Sequence, residues 1–151
     1  MKKAKAFLFM AAALAVSLKG YCESGKVTVA EEVRIPAIKL INVEGDNSSF
    51  VKGSIPVLEK IPTQKFWISN STEDWEKNTH AAPRKQYVIT LKGTLKFKVS
   101  NGSTFIIAPG TVLLAEDLKG PGHSWEIIDG NEWVRAYIPM EGDKDYFTSD
   151  K

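Results

Sequence analysis

The chain is poor in the residues that cross-link proteins and bind metals. It has one cysteine and two histidines in 151 residues. A lone cysteine, Cys22, excludes an intramolecular disulfide, so stability must come from a packed core. With only His80 and His123 available, a metal site would hold at most two imidazoles. The sequence also lacks a nucleophile elbow, a Walker loop, a dinucleotide fingerprint and a His-Glu-x-x-His motif, so none of those chemistries is indicated. No spacing supports a serine nucleophile with a histidine base. There is no internal repeat, no low-complexity block and no linker long enough to divide two domains. What remains is an ordinary globular composition, 43% hydrophobic and 25% charged, sized for one domain.

The only long apolar run is at the start. Lys2, Lys3 and Lys5 precede the stretch from Ala6 to Leu18, a basic head and an apolar segment too short to span a bilayer comfortably. Residues 1–22 therefore read as a secretory signal, cleaved between Leu18 and Glu23. Tyr21 stands where a lipoprotein signal would have a small residue. Cleavage removes four lysines and no acid, and the formal charge falls from +2 to about −2. The basicity belongs to the leader. No basic patch with interleaved aromatics survives, so nucleic acid is not an expected partner. The mature chain, residues 23–151, is expected to be secreted or periplasmic, with no membrane span.

The body reads as strands. Lys26–Ala30, Arg34–Val43 and Lys65–Ser69 have strand composition; Ser54–Ile61, with Pro56 near its start and Pro62 just after its end, is ambiguous. Ser71 or Thr72 could cap a helical turn through Trp75. Gln86–Lys92 is β-branched and aromatic, and Gly93 interrupts it. From Thr94 to Ser100 the pattern alternates strictly: Leu95, Phe97 and Val99 against Lys96 and Lys98. Asn101-Gly102 is a hairpin signal, because both turn positions need positive φ. Strands follow at Thr104–Ala108 and Thr111–Ala115, with Pro109-Gly110 turning between them. Glu116–Gly122 is a polar loop. Beyond it, Asp129-Gly130-Asn131 reads as a hairpin turn between Ser124–Ile128 and Glu132–Ile138. The polar tail from Glu141 is expected to fray. Many short strands with regular turns indicate an all-β sandwich or barrel.

Two stretches resemble the cupin superfamily. His80-x-Ala82-x3-Gln86-x6-Gly93 is similar to the first cupin motif, His-x-His-x3-Glu-x6-Gly. Pro109-Gly110, a strand, and then Gly120-Pro-Gly-His123 resembles the second, with a slightly longer loop. The likeness covers about half the chain, with core motifs at about 65–140. It is nearest to small single-domain cupins and implies a double-stranded β-helix, or jelly-roll barrel. A metal-binding cupin supplies three histidines and a glutamate. Here His80 and His123 match, whereas Ala82 stands at the second histidine position and Gln86 at the glutamate. The resemblance therefore implies at most a weak metal site of His80, Gln86 and His123, for iron, manganese, nickel or zinc.

Strand parity assigns the candidate site, because alternate residues share a face. Arg84 falls with Ala82 and Gln86, and Trp125 with His123. In a cupin the Gln86 position faces the interior, so the expected ligand-binding set is His80, Arg84, Gln86, His123 and Trp125. Each has a structural alternative. Gln86 can satisfy backbone groups, Arg84 can pair with Glu116 or Asp117, and Trp125 can be core. Glu116 and Asp117 can form an acidic turn or supply a missing carboxylate.

Three readings follow. One is an exported cupin binding a small polar or anionic molecule without a strong metal site. Another is a metal-dependent oxygenase or isomerase using His80, Gln86 and His123. The third is a non-enzymatic β-sandwich. A homodimer is also expected. The strand after Gln86 is apolar on both faces, with Val88 on one and Tyr87, Ile89 and Leu91 on the other. Its outer face needs a cover, either from N-terminal strands near Val27 and Ile38 or from a second subunit.

Overall fold

A computed structural model describes residues 33–57 and 59–150. The expected secretory signal and the expected strand at Lys26–Ala30 lie outside the described residues. Eight strands form one mixed sheet: β1 (Arg34–Asn42), β2 (Ser48–Pro56), β3 (Trp67–Ser69), β4 (Gln86–Val99), β5 (Thr104–Ile107), β6 (Val112–Ala115), β7 (His123–Pro139) and β8 (Thr148–Ser149). The order is β3-β7-β4-β6-β1-β2-β8, with β5 also on β4. β1 and β6 run parallel and the other pairs antiparallel. Short 3-10 turns occur at Glu44–Asp46 and Asp74–Lys77. No described helix is long and apolar enough to cross a membrane. The described residues thus form an all-β single domain, compatible with a β-sandwich.

Two long strands organise it. Near its start β4 pairs with β6 on one edge and β7 on the other. Near its end it pairs with β5 and with the first half of β7. Sequence reading broke β4 at Gly93 and β7 at Asp129-Gly130-Asn131. Both strands instead run through, with register shifts between Thr90 and Leu95. The glycines serve a bulge, not a hairpin. Gly93 and Gly130 both have φ of +89°, and a Cβ on Gly93 would lie 2.4 Å from the Glu132 carbonyl oxygen. Asn101-Gly102 and Pro109-Gly110 do turn the chain, with Gly102 N–H donating to Val99 O at 2.9 Å and Thr111 N–H to Ala108 O at 2.9 Å. β2 was not read as a strand: its end, Ser54–Pro56, fell in the stretch whose pattern is ambiguous.

Alternation sorts the two faces. Leu40, Val88, Leu95, Phe97, Phe105, Ile107, Leu113, Ala115 and Trp133 form the main core. Phe50 on β2 meets Phe105 on β5 with ring centroids 4.7 Å apart, although these strands are not hydrogen-bonded neighbours. The sheet therefore doubles over on itself. The opposite face of β1, β4 and β6 carries a second cluster of Ala37, Ile55, Tyr87, Val112, Leu114 and Met140.

That second cluster is the outer apolar face for which the sequence demanded a cover. Val27, part of the expected N-terminal cover, lies outside the described residues. Ile38 packs against the main core instead, and Phe147 and Ile61 lie on the outer cluster. The tail does not fray. Tyr87 Oη donates to the Asp145 carbonyl at 2.6 Å, Lys39 bridges Asp145 and Glu116, and β8 pairs with Gly53 and Ser54 of β2. Burial raises the Tyr87 hydroxyl pKa to about 12, so it stays a donor.

Gly53 makes this closure possible. A Cβ there would lie 2.1 Å from the Thr148 carbonyl oxygen and 2.5 Å from the Phe147 ring. Gly53→Ala is therefore expected to lift the tail and cost about 1–3 kcal/mol. Urea unfolding would show a lower midpoint, and limited proteolysis would cut after Lys144 in the variant only. A midpoint and cleavage pattern like the parent's would refute the tail's role as cover.

Candidate functional site

The two halves of the cupin-like pattern meet through backbone. His80 and His123 pair as an isolated antiparallel bridge, each N–H donating to the other's carbonyl at 2.9 Å. The Gly120-Pro-Gly122 turn permits this approach. Gly122 has φ +74°, and a Cβ on it would lie 2.0 Å from the His80 carbonyl oxygen. Ala82 N–H donates to the Asp117 carbonyl at 3.0 Å, which fastens the polar loop beside the first motif.

The side chains follow from that latch. The imidazole centroids of His80 and His123 are 4.7 Å apart. Both rings line a cavity of about 30 Å³, the space of about one water molecule. Gln86, Ala82, Trp125 and Phe97 line it too. Of the expected ligand set, His80, Gln86, His123 and Trp125 are thus brought together. Arg84 is not. It is exposed, its guanidinium lies 5.5 Å from the centre of the Trp67 ring, and it pairs with neither Glu116 nor Asp117. Those acids have other partners, Lys39 and His123. Arg84 lines a neighbouring groove of about 380 Å³, of which Gln86 is also part.

Hydrogen bonds through Nδ1 orient both imidazoles. His80 Nδ1 lies 2.7 Å from the Asn78 carbonyl oxygen. A carbonyl only accepts, so Nδ1 carries the proton and Nε2 keeps a lone pair. His123 Nδ1 lies 2.7 Å from Asp117 Oδ2, which also accepts from Ser48 Oγ at 2.7 Å. Burial lowers the His80 pKa below its ordinary 6.5, and the facing His123 adds to this. The nearby charges of Glu76 and Asp117 and the Asn78 carbonyl pull the other way and do not overcome burial. His80 is therefore neutral at pH 7. Its depressed pKa gives stability that is complete above pH 6.5 and is lost as the pH falls through the folded value.

Gln86 completes the set. The residue is 4% exposed, and its Oε1 is buried without a hydrogen-bond partner. A buried acceptor left unpaired is costly, and such atoms cluster at sites that something else completes. The cavity thus gathers one unpartnered acceptor, Gln86 Oε1, and both imidazole rings. Among the described residues no group of three or more His, Cys, Asp or Glu side chains can hold a metal ion. The donor set for a metal is two imidazoles and one amide oxygen. It suits a borderline transition ion but has no carboxylate to neutralise its charge.

The cavity mouth is held by a buried ion pair. The 3-10 turn at Asp74–Lys77 carries Trp75, which meets His80 edge-on at 4.8 Å, and Glu76. The cap is Glu73, whose N–H donates to Glu76 Oε2 at 2.8 Å, rather than Ser71 or Thr72. Arg135 is 1% exposed and donates Nη2 to both Glu76 carboxylate oxygens at 2.9 Å. Tyr137 Oη donates to the same carboxylate at 2.5 Å. Burial alone would raise the Glu76 pKa. The Tyr137 hydroxyl, the Glu73 N–H and Arg135 together outweigh it and hold the carboxyl below its ordinary 4.5. Burial first, and then Glu76, push the Tyr137 pKa well above 10.

Ser48 and Glu76 escaped the sequence reading, and Asp117 and Arg135 were not placed in the site by it. Parity could have found two of them. Leu113, Ala115 and Asp117 alternate inward beyond the end of β6, and Trp133, Arg135 and Tyr137 alternate along β7. Nothing in the sequence links Ser48 to Asp117, which are 69 residues apart. Comparisons with protein-family models, with curated proteins and with solved structures found no match to this chain.

Proposed function

We propose that the domain is a cupin-like module that binds a small polar molecule with His80, Gln86 and His123. The observation that carries this reading is the unpartnered Gln86 Oε1, buried on a cavity that both imidazoles also line. A ligand that brings donors relieves that deficit, and each hydrogen bond it forms replaces an acceptor's desolvation cost. The cavity is too small for a whole metabolite. The ligand inserts a polar head there, and its body lies in the groove bounded by Trp67, Trp75 and Arg84. An anionic group on that body is drawn to Arg84.

A second reading, metal-assisted chemistry, draws support from one specific feature. Each ring is oriented through Nδ1 by an oxygen, one a carbonyl and one a carboxylate, as histidine ligands of metals commonly are. His80, His123 and Gln86 would hold such an ion, which would act as a Lewis acid on a bound oxygen. The single amide oxygen in place of a carboxylate makes this the weaker fit.

The test is a nitrogen-15 NMR titration of the indole N–H signals with polyols, hydroxy acids and amines, run in chelator. At least one class is expected to shift Trp75 and Trp125 saturably, and His80→Ala and His123→Ala to abolish the shift while the spectrum stays dispersed. A folded protein that responds to none of these classes would refute the binding reading. A response seen only after zinc or nickel is added would favour the metal.

A further inference from the structure

We propose that the ligand is a sugar acid in its ring form, with a hydroxyl on Gln86, its ring against Trp75 and its carboxylate on Arg84. This ligand class rests on the binding reading above. Gln86 Oε1 is buried without a partner, and the same amide carries N–H donors. A hydroxyl serves both kinds of group, because it donates one hydrogen and accepts through its lone pairs. An ammonium only donates, and a carboxylate only accepts. The cavity of about 30 Å³ takes one such group and not a ring.

The groove beside the cavity receives the rest of the molecule. Trp75 is 47% exposed and Trp67 41% exposed, and both line it. Large apolar side chains left open beside a concave site mark a binding surface. Trp133 Nε1 donates to Thr90 Oγ1 at 3.2 Å, whereas the indole N–H groups of Trp67 and Trp75 have no acceptor among the described residues. A flat apolar wall with a donor at its edge suits a sugar ring, whose C–H face is apolar and whose rim carries hydroxyls. The groove, about 380 Å³, is at the small end of ligand sites, which run about 300–1,000 Å³, so it holds one or two rings rather than a long chain.

The acid follows from the cations of the groove. Two guanidinium groups line it, Arg84 and Arg135, and Arg135 is committed to Glu76. Arg84 has no carboxylate partner among the described residues, and its guanidinium lies 5.5 Å from the centre of the Trp67 ring. A guanidinium held over a ring presents a fork suited to a carboxylate. Gln86 and Trp75 line both the cavity and the groove, so one ligand can reach the amide and the guanidinium together.

Calorimetry of the full chain in chelator, with glucuronate and galacturonate, tests this directly. The matched controls are glucose and galactose, which lack the acid, gluconate, which lacks the ring, and para-hydroxybenzoate, whose ring is aromatic. At least one uronate is expected to bind about 10–100-fold tighter than its neutral sugar, the scale of a charge-assisted pair, and tighter than the other two controls. Arg84→Ala should weaken that uronate to the level of its neutral sugar. Trp75→Ala should weaken it about 3–10-fold, and circular dichroism will verify that each variant is folded. Gluconate, para-hydroxybenzoate or a simple amine that binds the parent as tightly as the best uronate overturns the sugar-acid inference and leaves the binding function standing. So does a uronate that binds no tighter than its neutral sugar, or that folded Trp75→Ala holds in full. Failure of every probe, and of polyols and amines, overturns both.

Discussion

Replacing Arg135 with alanine is expected to destabilise the domain by about 3–5 kcal/mol, the cost of leaving a buried carboxylate without its partner. Glu76 is 4% exposed and Arg135 1% exposed, so solvent screens neither. The guanidinium also donates to the Trp133 and Ser71 carbonyls, which ties β7 to the chain ahead of the Asp74–Lys77 turn. Its removal frees Trp75 from the cavity mouth as well. Urea unfolding at constant m would read the loss as a lower midpoint. The sign with pH is fixed by Glu76. Its folded pKa is below 4.5, so its contribution is full above that value and is lost as the pH falls through the folded pKa. The parent should therefore weaken on acidification more steeply than Arg135→Ala. The double variant Arg135→Met with Glu76→Leu should recover much of the loss, because an apolar pair leaves no charge behind. Equal stability of parent and Arg135→Ala would show that the pair is not buried as described.

Asp117→Asn is expected to silence the site without unfolding the protein. Asp117 Oδ2 accepts from His123 Nδ1 and Ser48 Oγ, whereas Oδ1 has no partner. An asparagine amide nitrogen at the Oδ1 place would be a buried donor without an acceptor. The amide therefore turns, and its NH₂ donates to His123 Nδ1 and Ser48 Oγ. The imidazole must then carry its proton on Nε2 alone. Ligand affinity should fall at least about tenfold, the scale of one charge-assisted hydrogen bond. Long-range nitrogen-15 spectra of the histidines should show His123 change tautomer and His80 keep its own. An unchanged His123 tautomer with parental affinity would remove Asp117 from the account.

The strands were legible in the sequence because each face is sorted by alternation. Leu95, Phe97 and Val99 went inward and Lys96 and Lys98 outward, as the period of two requires. Two kinds of feature were not legible. Glycines with positive φ read as hairpins at Asp129-Gly130-Asn131, although a bulge uses the same conformation and only the partner strand distinguishes them. Covers drawn from distant segments were hidden too. Nothing local says that the polar tail reaches back to Tyr87, or that one glycine, Gly53, makes room for it.

At the site the same division holds. Spacing and parity brought His80, Gln86, His123 and Trp125 to one cavity. They failed for Arg84, which precedes the regular strand: β4 begins at Gln86, and alternation does not govern a residue outside it. They also missed the groups that decide what the imidazoles can do. A carboxylate that orients a histidine six residues away looks in sequence like any acidic turn.

The central claim is that the side chains of His80, Gln86 and His123 share one small space beside Ala82. Zinc titration of the Ala82→His, Gln86→Glu variant, measured by calorimetry after chelator treatment, tests it most directly. Ala82 lines the cavity, so a histidine there enters the space that both imidazoles already face. The account predicts one zinc ion per chain, retained through dialysis, where the natural protein binds zinc weakly and releases it. A folded variant that binds zinc no better than the natural chain would show that these side chains do not share a space.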